Sequence, residues 1–282
     1  MRDESGSREI LREVFGFEGY RDRQGEIIER VIEGKDAFVV MPTGGGKSLC
    51  YQIPALERPG TGIIISPLIS LMADQVRQLK KLGIRAAYLN SSQGLSTQKD
   101  VRDQLESGDL DLLYIAPERL GTQSFAESLE KVDIALFAID EAHCITQWGH
   151  DFRPEYLRIS ETRQKHPEVP CIAVTATADA PTRQEILERL RLKTGDMFVS
   201  GFDRPNIKYT VVPKTNCKSQ LLRFIEAEHP SDTGIVYCLS RKRVERISAW
   251  LTDQGHEAVP YHAAFRRSKG KRIRLDSWKS KG

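Results

Sequence analysis

The stretch Met41-Pro42-Thr43-Gly44-Gly45-Gly46-Lys47-Ser48 decides the fold. It follows a short apolar run, residues 37–41, and leads into a helix-like stretch. Strand, glycine-rich turn and helix form the context in which a phosphate-binding loop works. Three consecutive glycines let backbone N–H groups curl around phosphate oxygens with no Cβ in the way. Lys47 would neutralise the β- and γ-phosphates, and the Ser48 hydroxyl would coordinate Mg2+. The N-terminus of the helix would add favourable partial positive charge. Thr43, Gly44, Gly45, Gly46, Lys47 and Ser48 are therefore the expected nucleotide-binding loop. Met41 stands where the strict pattern has its first glycine, so the match is one position short. The competing reading is a glycine-rich turn with a solvated lysine, and the strand–GGGKS–helix context weighs against it.

Outward from this loop, apolar runs recur at residues 62–66, 112–116, 135–140, 171–175, 234–238 and 258–262. They are rich in Val and Ile and show no polar alternation, as strands buried on both faces of a parallel sheet do. Between them Leu71, Met72, Val76, Leu79 and Leu82 fall at helical spacing, as do Val244, Ile247 and Leu251. Strand and helix in alternation predict an α/β fold, a parallel sheet with helices on both faces. The run 135–139 ends in Asp140-Glu141-Ala142-His143. The C-terminal end of a parallel strand is where such sheets bind ligands. There Asp140 can hold Mg2+ from the far side and Glu141 can orient an attacking water. Two carboxylates on a solvated turn are the plainer alternative.

Lys47 and the D-E-A-H box at Asp140 resemble motifs I and II of superfamily 2 helicases. The run Cys144-Ile145-Thr146-Gln147-Trp148-Gly149-His150-Asp151-Phe152-Arg153-Pro154-Glu155-Tyr156 is similar to the aromatic-rich loop of the RecQ family in particular. Phe15-Gly16-Phe17, with Tyr20, Arg21 and Gln24, resembles that family's motif 0. Residues 66–72, 114–120, 175–178 and 235–241 resemble motifs Ia, Ib, III and IV, and residues 202–206 its boundary strand. The resemblance covers residues 15 to about 262. It implies a RecA-like P-loop NTPase lobe at residues 1–206 and a partial second RecA-like lobe at residues 207–282. It further implies an ATP- and Mg2+-dependent DNA helicase of 3′ to 5′ polarity acting in repair and recombination. Single-stranded and forked duplex DNA are the expected partners; protein partners are not legible.

On this resemblance Lys47, Asp140, Glu141 and His143 are the catalytic residues, with Ser48 and Asp140 on Mg2+. Gln24 has the amide geometry to pair with adenine N6 and N7. Phe17 and Arg21 would sandwich the base, a contact of ~0.5–2 kcal/mol. The alternatives are a core Phe17 and a solvated Gln24. Trp148, Phe152 and Arg153 suit stacking on single-stranded bases, worth ~1–3 kcal/mol each. The resemblance implies that this loop, with His143 and Thr175, couples DNA to hydrolysis. Residues 67–70 and 117–119 would hold DNA phosphates, which positions the strand without reading its sequence. Binding should then be salt-sensitive.

Composition is compatible with this and excludes little else. The chain has 282 residues, 39% apolar, with a net charge of +3. That charge is too small to indicate nucleic acid by itself, although residues 266–274 read RRSKGKRIR. No apolar run approaches the ~20 residues of a membrane span, and the polar N-terminus has no signal-peptide core. A cytoplasmic protein is expected, nucleoid-associated if bacterial. The five cysteines, Cys50, Cys144, Cys171, Cys217 and Cys238, form no C-x-x-C pair, so free thiols and no zinc are expected.

The pattern thins after residue 207. Motifs V and VI, with their arginine finger, have no counterpart before Gly282, and His262-Ala263-Ala264-Phe265 departs from the family's His-Ala-Gly. An arginine finger contributes roughly 10³–10⁵ in rate, or about 4–7 kcal/mol of barrier. The expectation is a chain that, alone, binds nucleotide and hydrolyses it slowly, with an exposed second segment that proteases remove near residues 201–216.

Overall fold

A computed structural model of the chain describes residues 5–146, 154–201 and 207–262. The chain divides into two units, residues 1–205 and 206–282.

The described residues of the first unit include seven strands: β1 (Ala37–Val40), β2 (Thr61–Ile65), β3 (Ala86–Leu89), β4 (Leu112–Ile115), β5 (Ile134–Ile139), β6 (Cys171–Thr175) and β7 (Met197–Val199). Their order across the sheet is β3-β4-β2-β5-β6-β1-β7, and every pairing is parallel. Parallel neighbours need a crossover between them, and helices supply it. Two helices precede the first strand, α1 (Ser5–Glu9) and α2 (Gln24–Ile32), and the crossovers contain α3 (Leu49–Glu57), α4 (Ile69–Lys81), α5 (Leu95–Glu106), α6 (Gln123–Leu129), α7 (Leu157–Lys165) and α8 (Ala180–Leu190).

Successive strand residues point to opposite faces, so the sheet makes two cores. Phe38, Val40, Ile63, Ile65, Phe137 and Ile139 pack on one face with residues of α5, α6, α7 and α8. Val39, Ile64, Leu136, Ala138, Ile172 and Val174 pack on the other with residues of α2, α3 and α4. With both faces covered, neither can be polar, which is why these strands read as unbroken apolar runs.

The runs at 37–41, 62–66, 112–116, 135–140 and 171–175 are the strands the sequence predicts. The edge strands β3 and β7 are additions to that reading. The runs at 234–238 and 258–262 are corrected: neither is a strand. Among its described residues the second unit holds two helices, α9 (Cys217–Glu228) and α10 (Arg241–Asp253), capped by the side chains of Asn216 and Ser240. Between and after them Ile235, Tyr237, Val259 and Tyr261 are more than half exposed. A strand needs a hydrogen-bonding neighbour, and apolar composition alone does not provide one.

Candidate functional site

Parallel order places the C-terminal ends of β5, β6 and β1 side by side. Each end carries a residue the sequence singles out: Asp140 after β5, Thr175 closing β6, and the glycine loop after β1. At such an edge all the loops leave the sheet in one direction.

The loop from Met41 to Ser48 is shaped to receive an anion. Gly44 and Gly46 have φ of 84° and 82°, a region closed to most side chains. At Gly46 a Cβ would lie 2.2 Å from Gln24 Nε2. Among the described residues the N–H groups of Gly44, Gly46, Lys47 and Ser48 donate no hydrogen bond. Successive unpaired amides at the start of α3 form the donor-rich concavity that holds phosphate. Lys47 Nζ donates to the carbonyl oxygens of Met41 at 3.0 Å and Pro42 at 3.2 Å. Burial pulls its ammonium below the ordinary value, opposed by the charges of Glu141 and Asp140.

Asp140 is 7% exposed. Burial, then the neighbouring Glu141, pushes its carboxyl up to about 6, although Lys47 and bonds from the Glu141 amide and Ser66 act the other way. The Glu141 N–H donates to Asp140 Oδ1 at 3.0 Å, and the Ser66 hydroxyl, at the end of β2, reaches Oδ2 at 3.4 Å. Tyr156 Oη donates to the Asp140 carbonyl at 3.1 Å. Glu141 itself lies in the left-handed region, φ 49° and ψ 48°, which costs a residue with a Cβ about 1–2 kcal/mol. A buried carboxylate beside a second one, with a single lysine nearby, fits a divalent cation, and the Ser48 hydroxyl begins the adjacent helix.

His143 and Thr175 meet: Nδ1 and Oγ1 are 2.9 Å apart. His143 Nδ1 is also 3.4 Å from Glu141 Oε2. The Thr175 carbonyl accepts from the Met41 N–H at 3.0 Å. One residue thus touches the acidic box through its side chain and the glycine loop through its backbone.

Gln24 is buried, 2% exposed, and not a solvated helix residue. Its Oε1 accepts from the Arg21 N–H at 2.7 Å, and Nε2 donates to the carbonyls of Gly45 and Gly46, both at 3.2 Å. The carboxamide is engaged with the loop itself, so adenine would have to exchange with these bonds. Phe17 is 44% exposed, which removes it from the core, and Arg21 is exposed too. Trp148, Phe152 and Arg153 lie outside the described residues. Ser66 and Tyr156 are site residues that motif reading missed as supports of Asp140; only their three-dimensional proximity identifies them. Among the described residues no group of three His, Cys, Asp or Glu side chains could hold a metal, and no helix is long and apolar enough to cross a membrane.

A family model described as DEAD/DEAH box helicase matches residues 21–186. The chain is 48% identical to ATP-dependent DNA helicase RecQ of Haemophilus influenzae, over 95% of this chain and 43% of that protein. It is 42% identical to RecQ-like DNA helicase BLM of Xenopus laevis, over 91% of this chain and 19% of that one. The chain therefore spans less than half the length of these relatives. In fold it is similar to the DUF1998 helicase MrfA bound to DNA, with a TM-score of 0.69 and 17% identity over 93% of this chain and 41% of that one. It is also similar to the Mycobacterium smegmatis helicase Lhr bound to ssDNA and AMP-PNP, with a TM-score of 0.59 and 18% identity over 90% of this chain and 36% of that one.

Proposed function

The chain belongs to the DEAD/DEAH box helicase family, and from that premise we propose that it is the motor region of a RecQ-type, ATP-dependent DNA helicase. Residues 1–206 are the ATP-binding lobe and residues 207–282 belong to a second one. The glycine loop with its unpaired amides is the observation that carries the reading. Lys47 leaves the carbonyls of Met41 and Pro42 for the β- and γ-phosphates. Ser48 and Asp140 hold Mg2+, which neutralises phosphate charge when bound. Glu141 orients the water, and His143 with Thr175 passes the state of the DNA loop, Trp148, Phe152 and Arg153, to the hydrolytic site. Gln24, Phe17 and Arg21 take the adenine. In this reading ATP turnover drives 3′ to 5′ movement along single-stranded DNA and unwinding of forked duplexes in repair and recombination. The protein works in the cytoplasm, on the nucleoid if bacterial.

A second reading is favoured by the second unit, whose described residues contribute helices and no strand. In it this chain holds ATP and DNA without unwinding by itself. Strand displacement from forks bearing either a 3′ or a 5′ tail separates the two. ATP-dependent opening of the 3′-tailed fork alone supports the helicase reading. Binding of DNA and ATP with no opening supports the second, and opening of only the 5′-tailed fork contradicts the proposed polarity.

A further inference from the structure

Beneath the glycine loop the first turn of α3 buries a tyrosine whose hydroxyl has no settled partner. Tyr51 is 0% exposed, three residues after Ser48 and packed in the same core as Met41 and Tyr114. The side chains of Ser48 and Tyr114 lie within hydrogen-bonding reach of its hydroxyl, but at angles that make no regular hydrogen bond among the described residues. Tyr114, on β4 and also 0% exposed, is better served: its hydroxyl accepts from Gln52 Nε2 at 2.9 Å. Both hydroxyls lie within electrostatic reach of Asp140, and burial raises both pKa values, so each stays an O–H group. A buried hydroxyl without a partner costs about 1–3 kcal/mol, and a folded protein rarely carries one without a use.

The chemistry of Ser48 supplies the use. A serine hydroxyl that gives a lone pair to Mg2+ becomes a stronger O–H donor and then needs an acceptor. Tyr51 Oη is the buried oxygen beside it, and its own O–H can turn to Tyr114. We propose that Tyr51 is a positioning residue for the Mg2+–nucleotide site: its hydroxyl stands idle in the nucleotide-free protein and accepts the Ser48 proton in a hydrogen bond once the metal holds Ser48 Oγ. This rests on the assignment of Ser48 to Mg2+ in the proposed function.

The test is Tyr51→Phe in the whole chain, which removes one oxygen and keeps the ring. Titration with a fluorescent ADP analogue, with Mg2+ and with EDTA, gives affinity, and thermal unfolding without nucleotide gives stability. The expected result is about a tenfold loss of affinity in Mg2+, no change in EDTA, and a melting temperature equal to or above that of the native chain. In a Ser48→Ala background the same substitution should have no further effect, because the two oxygens act as one unit. Equal losses with and without Mg2+, unchanged affinity, or a lower melting temperature would each overturn the proposal. If the native chain itself binds nucleotide no better with Mg2+ than with EDTA, the assignment of the metal site fails as well.

Discussion

Burial and the adjacent Glu141 lift the Asp140 carboxyl from an ordinary 3.8 to about 6. Between those values the folded, nucleotide-free protein keeps a proton that the unfolded chain releases, so its stability falls as pH rises through about 4 to 6. Asp140→Asn removes the buried charge. Its melting temperature should exceed that of the native chain at pH 8, with the gap closing near pH 4, while Mg2+-dependent nucleotide binding is lost. Equal melting temperatures at both pH values would count against a buried, uncompensated carboxylate. His143 and Thr175 carry a different expectation. Their bond touches the acidic box and the glycine loop together, so Thr175→Val should leave nucleotide affinity within about twofold, below the tenfold step of 1.4 kcal/mol. It should abolish stimulation of hydrolysis by DNA, and a variant that is stimulated like the native chain would remove Thr175 from the coupling. At this scale the placement of Lys47, Asp140 and Glu141 just past the ends of β1 and β5 is legible, because each follows an unbroken apolar run; their roles belong to the proposed function. The bonds from Gln24 to Gly45 and Gly46, and the support of Asp140 by Ser66 and Tyr156, are not legible, because they join residues brought together only by the sheet.

Among the elements, the end of the sheet opposite the site is tied by Asp36, which precedes β1. Its Oδ1 accepts from the Cys171 N–H at 2.7 Å and its Oδ2 from Arg163 at 2.6 Å, while its carbonyl accepts from Arg30 Nε at 2.7 Å. One residue therefore fastens α2 and α7 to the start of β1 and β6. Asp36→Ala leaves Arg163, whose side chain is 15% exposed, without its carboxylate. The expected loss is about 2–3 kcal/mol in urea unfolding, somewhat below the range for a wholly buried pair. A change within experimental error would mean that water replaces the carboxylate freely. The central strands are readable in advance because a strand covered on both faces must be apolar throughout. The edge strands β3 and β7 are not: each has one neighbour, Ala86–Leu89 contains no Val or Ile, and Met197–Val199 is only three residues long. At 234–238 and 258–262 the apolar runs are not strands, because composition records burial tendency and not the presence of a pairing partner.

For the whole molecule, the two units carry different kinds of backbone. Residues 207–214 have no regular secondary structure and are largely exposed, the condition under which proteases cut. Limited trypsin digestion should cleave there first and leave a resistant fragment of the first unit that still binds nucleotide. Equal resistance of residues 207–262 would contradict that expectation. The first unit contains every described residue assigned to ATP, so the proposed function requires that unit to bind nucleotide through its glycine loop. The direct measurement is equilibrium binding of Mg2+–ATP to the native chain and to Lys47→Ala. Saturable binding at one site, weakened at least tenfold by the substitution while the melting temperature is kept, is the predicted result. Binding that Lys47→Ala leaves unchanged, or no binding by the native chain, would contradict it.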